Sequence, residues 1–545
     1  MPSIVTTRTM LAGASARTVR IADRPSAPSR RAVLAGTAGI AGLGLLALTG
    51  CSTGARSTTI PEAAATGTAA PGGRLRVARP AASAAETLDS ASSLSAYEYL
   101  GALYNRLVKL DEQGETIPDL AEEWSASPDG ITWTFRLRRG VRFHDGTRFT
   151  AADAIASIQH ILDPATASPQ GGVLGDMLDA DSMSAPDPHT LRFQLKTPNA
   201  EFPSLLTAYQ CYIVPADAIA TIGRTGIGTG PFRLSSFQPA GSGSVEAFED
   251  HFAGRPLLDG IDFSSIQDTT ARVNALLAGQ IDLISQTNLD FATARVVSAS
   301  SRATVARVVD AQWYTIPMLA TSAEFQDPLV RRAMKLAYDP EQIVATALQG
   351  TGTPARDNPV PPALAAFVDV DRPYDPDQAK ALLAKAGVPG LRTTIHTSSY
   401  ESVFTPMAVA YRDQVKAAGI DLTVRNSSSD SYYTEIWMKE PLMVSYWFTG
   451  RPIDQLLNQI FRTGSSYNES AWSNPAFDAL LDDARATMDD DRRRMLYQDA
   501  QRIVVEDGAD MTPMFGDRLV GISRDVVNYR EFGFEFDHLR IGFRR

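Results

Sequence analysis

Cysteine is nearly absent: two residues in 545 exclude a disulfide framework and a zinc ribbon. Histidine is scarce and scattered, at His144, His160, His189, His251, His396 and His538. No two lie within five residues, so neither an H-E-x-x-H helix nor a Cys/His group with metal-ligand spacing exists. Positive charge is also in deficit, 51 Lys and Arg against 62 Asp and Glu, for a net −11. Neutralising nucleic-acid phosphates needs a basic surface, so a nucleic-acid partner is excluded. Only seven of the basic residues are lysine, which beside the abundant alanine reads as coding bias. Chemistry-bearing motifs are missing too. From Arg74 on there is no G-x-S-x-G elbow, and no lysine has a serine three positions before it. Gly226, Gly228 and Gly230 lack the dinucleotide-binding spacing, and no P-loop lysine follows them. They read as a tight turn before a strand at Phe232 to Leu234. A secreted enzyme would need an activated nucleophile. The expectation is a protein without catalysis, metal or cofactor. What remains is ordinary globular composition, 44% apolar and 21% charged, with room for two to four domains.

The N-terminus is not written like the rest. Residues 1–31 carry six arginines and one aspartate, and an uncharged run rich in Ala, Gly and Leu follows from Ala32 to Gly50. A basic region, an apolar region and small residues at the end have the layout of an export signal. Cys51 comes next, after Leu48, Thr49 and Gly50. This resembles a bacterial lipobox, in which the thiolate accepts a diacylglyceryl group. Arg30 and Arg31 ahead of the apolar run resemble a twin-arginine signal. The alternative is a retained anchor, since 19 residues approach the roughly 20 that span a bilayer. Residues 1–50 are expected to be removed, Cys51 to be lipidated, and 51–73, rich in Pro, Ala, Thr and Gly, to be a flexible tether. The mature body then starts near Arg74 with a net charge near −16.

The body mixes strand and helix signals. Ile131, Trp133, Phe135 and Leu137 alternate with polar residues after a turn at Ser127 to Gly130, and Leu191, Phe193 and Leu195 do the same. Thr150 and Asp153 open a helix between them. Later helices are predicted after Asp327-Pro328, Asp375-Pro376, Asn474-Pro475 and the acidic run at 489–491. The class is α/β, with sheets in separated places.

Several blocks carry a resemblance. They are Tyr104 to Asp111, Ile117 to Trp124, Trp133 to Thr147, Gly228 to Phe232, Leu276 to Leu283, Asp327 to Ala333 with Ala337 to Pro340, and Ser473 to Pro475. In this order they resemble the oligopeptide/dipeptide/nickel-type extracellular solute-binding proteins of ABC importers (family 5). The resemblance spans about 75–540. It implies a two-lobe, periplasmic-binding-protein-like α/β fold of type II, with an extra subdomain in lobe I. Projected onto this chain, lobe I takes 74–105, 201–300 and 515–545, the subdomain 106–200, and lobe II 301–514. It implies capture of a peptide or peptide-like solute between the lobes by a monomer, and delivery to a permease and ATPase complex. Closure on ligand would be a population shift.

The resemblance also marks a departure. Peptide-binding relatives carry an aspartate, before the Ser-Asn-Pro helix, that pairs with the peptide's ammonium. Here Thr449 stands at the matching position, and threonine cannot neutralise a buried ammonium. Arg451 instead offers a planar donor fork for a carboxylate, and Asp454 lies five residues after Thr449 as another source of an anion. A modified peptide or an amino-acid conjugate would fit. A sugar, haem or nickel complex are the other ligand classes of this transport role. The expected ligand-binding residues are Tyr446, Trp447, Thr449, Arg451 and Asp454, Trp313 and Tyr314 at the lobe crossing, and Tyr97 from lobe I. Tyr400, Tyr467 and Asn468 are further candidates. The aromatics have core positions as their alternative, and Arg451 could pair with Asp454. Cys211 is expected to be a small buried hydrophobe.

Overall fold

The structure, a computed structural model, describes residues 66–80, 84–532 and 535–545. The export segment, Cys51 and the first part of the tether lie outside the described residues.

The alternating segments form strands. Thr132–Leu137 buries Trp133, Phe135 and Leu137 on one face, as period-2 geometry requires. It sits in a four-stranded antiparallel sheet ordered Ala121–Ala126, Thr132–Leu137, Thr190–Gln194, Met183–Asp187. Helix Ala151–Leu162 covers that sheet with Ala154, Ile158 and Ile161, and Asp153 accepts the Thr150 N–H at 2.8 Å. The core around them draws on Leu107 to Ile213 and on Ala91. Cys211 belongs to it, 1% exposed, and burial pushes its thiol up to about 12. Further on, helices Pro328–Leu336, Pro376–Lys385, Pro475–Ala486 and Asp490–Asp507 start where proline and acidic signals place them. Asp327, Asp375, Asn474 and Asp489 each accept a first-turn N–H.

A nine-stranded sheet joins the two halves of the molecule. Its order is Ser445–Phe448, Ala303–Pro317, Asp510–Ser523, Leu283–Ile284, Arg74–Arg79, Gly260–Ser265, Gly243–Ala247, Phe232–Phe237, with Gly352–Pro354 beside Asp510–Ser523. The two long antiparallel strands are the crossings. Their register runs from Ala303↔Ser523 to Val308↔Arg518, breaks, and resumes at Gln312↔Gly516. Asp310 sits in the break with φ 50°, and its N–H donates to Asp517 at 3.0 Å. Before the break Ala303 and Val305 pack in the first half; after it Trp313 and Tyr314 enter two cores of the second. The chain therefore changes halves at Val309 to Ala311 and again at Gly516 to Arg518, somewhat later than the splits expected at 301 and 515.

The tether is shorter than its composition suggests. Ala69–Ala70 pairs with Gly542–Arg544, and Gly67 exchanges two bonds with the Asn528 side chain at 3.2 and 3.1 Å. Strand pairing uses backbone groups and needs no large side chains, so a Pro/Ala/Thr/Gly segment can join a sheet edge.

The glycine run has a different reason from a turn alone. A Cβ at Gly228 would lie 2.1 Å from the Leu103 carbonyl oxygen, and one at Gly230 would lie 2.4 Å from the Leu103 carbonyl carbon. Two backbones pass in contact there, which only glycine permits. The Gly228 N–H donates to His144 Nδ1 at 3.1 Å, and Nε2 meets the Gly230 carbonyl at 3.1 Å. That pattern selects the neutral Nε2–H tautomer. Burial pushes His144, His251 and His538 each down to about 4. Above the unfolded-state value near 6.5 both states are neutral and no stability depends on these groups. Between 6.5 and 4 the unfolded chain binds protons that the folded chain refuses, so stability falls as pH falls through that window. Urea unfolding from pH 7 to pH 4 should show this loss, and replacing His144 with Gln should reduce its slope by up to one proton.

Candidate functional site

Between the two halves lies a cavity of about 1290 Å³. One wall comes from the first half: helix Tyr97–Leu103, Leu94, Tyr209 and helix Pro169–Gly175. The facing wall is the segment Phe448 to Arg462 with Tyr467, and Arg530, Glu531 and residues 535–540 close one side. The site is thus assembled from stretches as far apart as Leu94 and Arg540, 446 positions, which no local pattern reports.

The facing wall follows from one strand and one helix. Ser445–Phe448 pairs with Gln312 to Thr315, and Pro452 then starts helix Ile453–Ile460. The turn between them holds Thr449, whose N–H donates to the Ala311 carbonyl at 3.1 Å, and presents Arg451. The Arg451 guanidinium lies 5.5 Å from the Trp447 ring centroid, and Nη1 donates to the Phe448 carbonyl at 2.7 Å. Burial lowers its pKa to about 10, so it stays charged at neutral pH. Among the described residues no carboxylate pairs with it.

Trp447 is itself anchored. Its Nε1 donates to Glu469 Oε1 at 3.0 Å, while Trp437 Nε1 and Thr315 Oγ1 donate to the same carboxylate at 2.7 and 2.6 Å. Glu469 is fully buried, and desolvation raises its pKa. On the other side of the cavity Tyr97 and Tyr209 meet edge to face at 5.1 Å. Arg106 is committed to Glu535 through two bonds of 2.8 and 2.9 Å. Gln455 and Gln459, one turn apart on the helix, also line the cavity, and Gln459 Oε1 is buried with no partner.

Of the eight residues expected from the sequence, Tyr97 and Arg451 line the cavity, and so does Tyr467. The others do not. Trp313 and Tyr314 are fully buried: Trp313 stacks on Trp447 at 6.3 Å, and the Tyr314 hydroxyl donates to Gln312 at 3.2 Å. Both belong to core because a crossing strand is covered on both faces. Trp447 supports the wall from behind, 8% exposed. Tyr446 packs among Tyr400, Phe404 and Phe448. Asn468 is buried and donates to the carbonyls of Arg462 and Trp472. Asp454 is the main correction. It is fully buried and accepts two bonds of 2.8 Å from Arg485, one of 2.8 Å from Asn458 and one of 3.1 Å from Tyr497. It pairs with Arg485, not Arg451, because the first turn of the helix rotates its side chain inward, away from the cavity.

The sequence family agrees with this architecture. Residues 115–468 match the model of the bacterial extracellular solute-binding proteins, family 5, middle region. The chain belongs to this family. A glutathione-binding protein, GsiB, of Pectobacterium atrosepticum is 27% identical over 418 residues, 73% of this chain and 80% of that protein. A periplasmic binding protein AgaA from A. tumefaciens R10, solved in complex with agropinic acid, is 25% identical with a TM-score of 0.67. That alignment covers 85% of this chain and 96% of AgaA. The Helicobacter pylori protein DppA, solved with the peptide STSA, has the same fold. Its TM-score is 0.71 at 24% identity, over 87% of this chain and 99% of that one. These relatives are two-lobe binding proteins, and this family 5 protein is the substrate-binding component of an ABC importer. Its place of work is extracellular or periplasmic. Among the described residues no helix is long and apolar enough to cross a membrane.

Proposed function

We propose that this family 5 protein is a lipid-anchored monomer that captures a peptide-like solute bearing an exposed carboxylate and hands it to its permease and ATPase partners. The observation that carries this reading is Arg451, a half-buried guanidinium on the cavity wall that donates to the Phe448 carbonyl, lies over the Trp447 face and, among the described residues, has no carboxylate partner. A desolvated guanidinium without an acidic neighbour is a preorganised receptor for a carboxylate, and its planar fork accepts both oxygens. Around it Phe448, Tyr467, Tyr97 and Tyr209 supply aromatic surface, and Gln455 and Gln459 supply amides. Such a mixture suits an amide-linked solute with apolar and polar parts. The relatives that bind glutathione and agropinic acid take ligands with acid groups, which favours the same class here. Solute bound to both walls favours the closed form, and no chemical step is required. Cys51, following small residues at the end of an apolar run, would carry the anchor.

Native mass spectrometry of the purified protein should detect a co-purified acid. Thermal-shift titration with glutathione and with di- to tetrapeptides should raise the melting temperature of the wild type. Amidated versions of the same compounds should raise it less. Equal shifts for acid and amide would remove the support that Arg451 gives. Globomycin, or Cys51→Ala, should leave unprocessed precursor in the membrane fraction; normal processing of the variant would refute the anchor.

A further inference from the structure

Glu469 does not line the cavity, yet it organises the facing wall from behind. Its carboxylate is fully buried and collects donors from three separate elements: Thr315 on a crossing strand, Trp437 just after the helical turn Tyr432–Ile436, and Trp447 on the edge strand. Oε1 accepts from Thr315 and Trp447, and Oε2 accepts from Trp437. An indole N–H can only donate, so the two tryptophans need an acceptor on each oxygen position. A carboxylate supplies both; a glutamine, with one acceptor oxygen, does not. Among the described residues no ion pair reaches Glu469, and a buried charge without a counter-ion is costly. The fold bears that cost behind the wall that carries Arg451.

The front of the wall depends on the same indole. The Arg451 guanidinium lies over the Trp447 ring at 5.5 Å, and Tyr467, two residues before Glu469, meets that ring edge to face at 6.0 Å. Both Arg451 and Tyr467 line the cavity. An anion that accepts the indole N–H leaves the ring richer in electrons, which strengthens its hold on a cation. A long arginine side chain loses rotamer freedom when a ligand orders it, so fixing it beforehand favours binding. We propose that Glu469 is a positioning residue for solute capture: its carboxylate holds the Trp447 indole as the platform that keeps Arg451 in place on the cavity wall. This rests on the reading of Arg451 as the carboxylate receptor, and it adds the residue that presents it.

Chemical labelling tests the positioning role without any solute. The probe is phenylglyoxal, which modifies accessible guanidines and is small enough to enter the cavity. Mass spectrometry of a digest reports the rate at Arg451 against that at Arg136, which is exposed on the four-stranded sheet. Glu469→Gln should label Arg451 about three- to tenfold faster, the size of the cation–π contact that it loosens. Trp447→Phe keeps a ring but removes the N–H, and should speed labelling to a similar extent. The double variant should be no faster than the faster single one, because both changes break the same link. A purely structural Glu469 would neither single out Arg451 nor lose its effect in the Trp447→Phe background. The proposal is overturned if either single variant labels Arg451 at the wild-type rate, or if the two effects multiply. Should Glu469→Gln fail to fold, the Trp447→Phe rate decides. Equal thermal shifts for acid and amide solutes would count against Arg451 as receptor and would not alter the labelling rates, so the two failures are told apart.

Discussion

Arg451→Ala is expected to weaken binding of the carboxylate-bearing solute by about 30- to 3000-fold, while leaving the melting temperature of the ligand-free protein unchanged or slightly higher. The affinity range is the roughly 2–5 kcal/mol lost when one partner of a desolvated charge pair is removed, at about 1.4 kcal/mol per decade. The unchanged stability follows from the partners of Arg451. Its guanidinium donates to one backbone carbonyl and lies over Trp447, and no carboxylate is left stranded when it goes. Burial already lowers its pKa, a sign that the folded chain holds this charge at a cost. Arg451→Lys keeps the charge but loses the bidentate fork, so it should recover only part of the affinity. Calorimetry with the identified ligand, together with thermal melts of the free variants, checks both halves. A variant that binds normally would move the carboxylate receptor elsewhere on the cavity wall.

Asp454→Ala should do the opposite: a loss of about 3–5 kcal/mol in stability, the scale for breaking a buried ion pair by removing one partner. Asp454 is fully buried and satisfies Arg485, Asn458 and Tyr497 together. Its removal leaves the half-buried Arg485 guanidinium without that counter-charge. Replacing both Asp454 and Arg485 with apolar residues should restore much of the stability, since no lone charge then remains buried. Chemical denaturation of the single and double variants measures this. Unchanged stability with loss of ligand binding would return Asp454 to the role of ligand contact.

Arg451 and Asp454 also show where sequence reasoning stops. They are three residues apart in one segment, and either could have faced the solute. A turn ending at Pro452, and a helix starting at Ile453, place one on the cavity wall and the other in the core. Residue type suggested both, and only the phase of that helix separates them. Trp313 and Tyr314 failed for a related reason. They are expected at the lobe crossing, but as adjacent residues they point to opposite faces of a strand that is paired on both edges and packed on both faces.

The sequence by itself determined the class of the fold, the family and the starts of several helices and strands. These rest on local rules: period-2 burial at Trp133, Phe135 and Leu137, caps at Asp327, Asp375, Asn474 and Asp489, and blocks in fixed order. Local rules are legible because neighbouring residues share one backbone geometry. Tertiary structure alone decided which charges are spent and which are free. Arg485 is neutralised by a residue 31 positions away, Arg106 by one 429 positions away, and Arg451 by none among the described residues. Pairing over such separations depends on how the two halves meet. Arg451, proposed above as the receptor for the solute's carboxylate, is a charge that this pairing leaves over among the described residues.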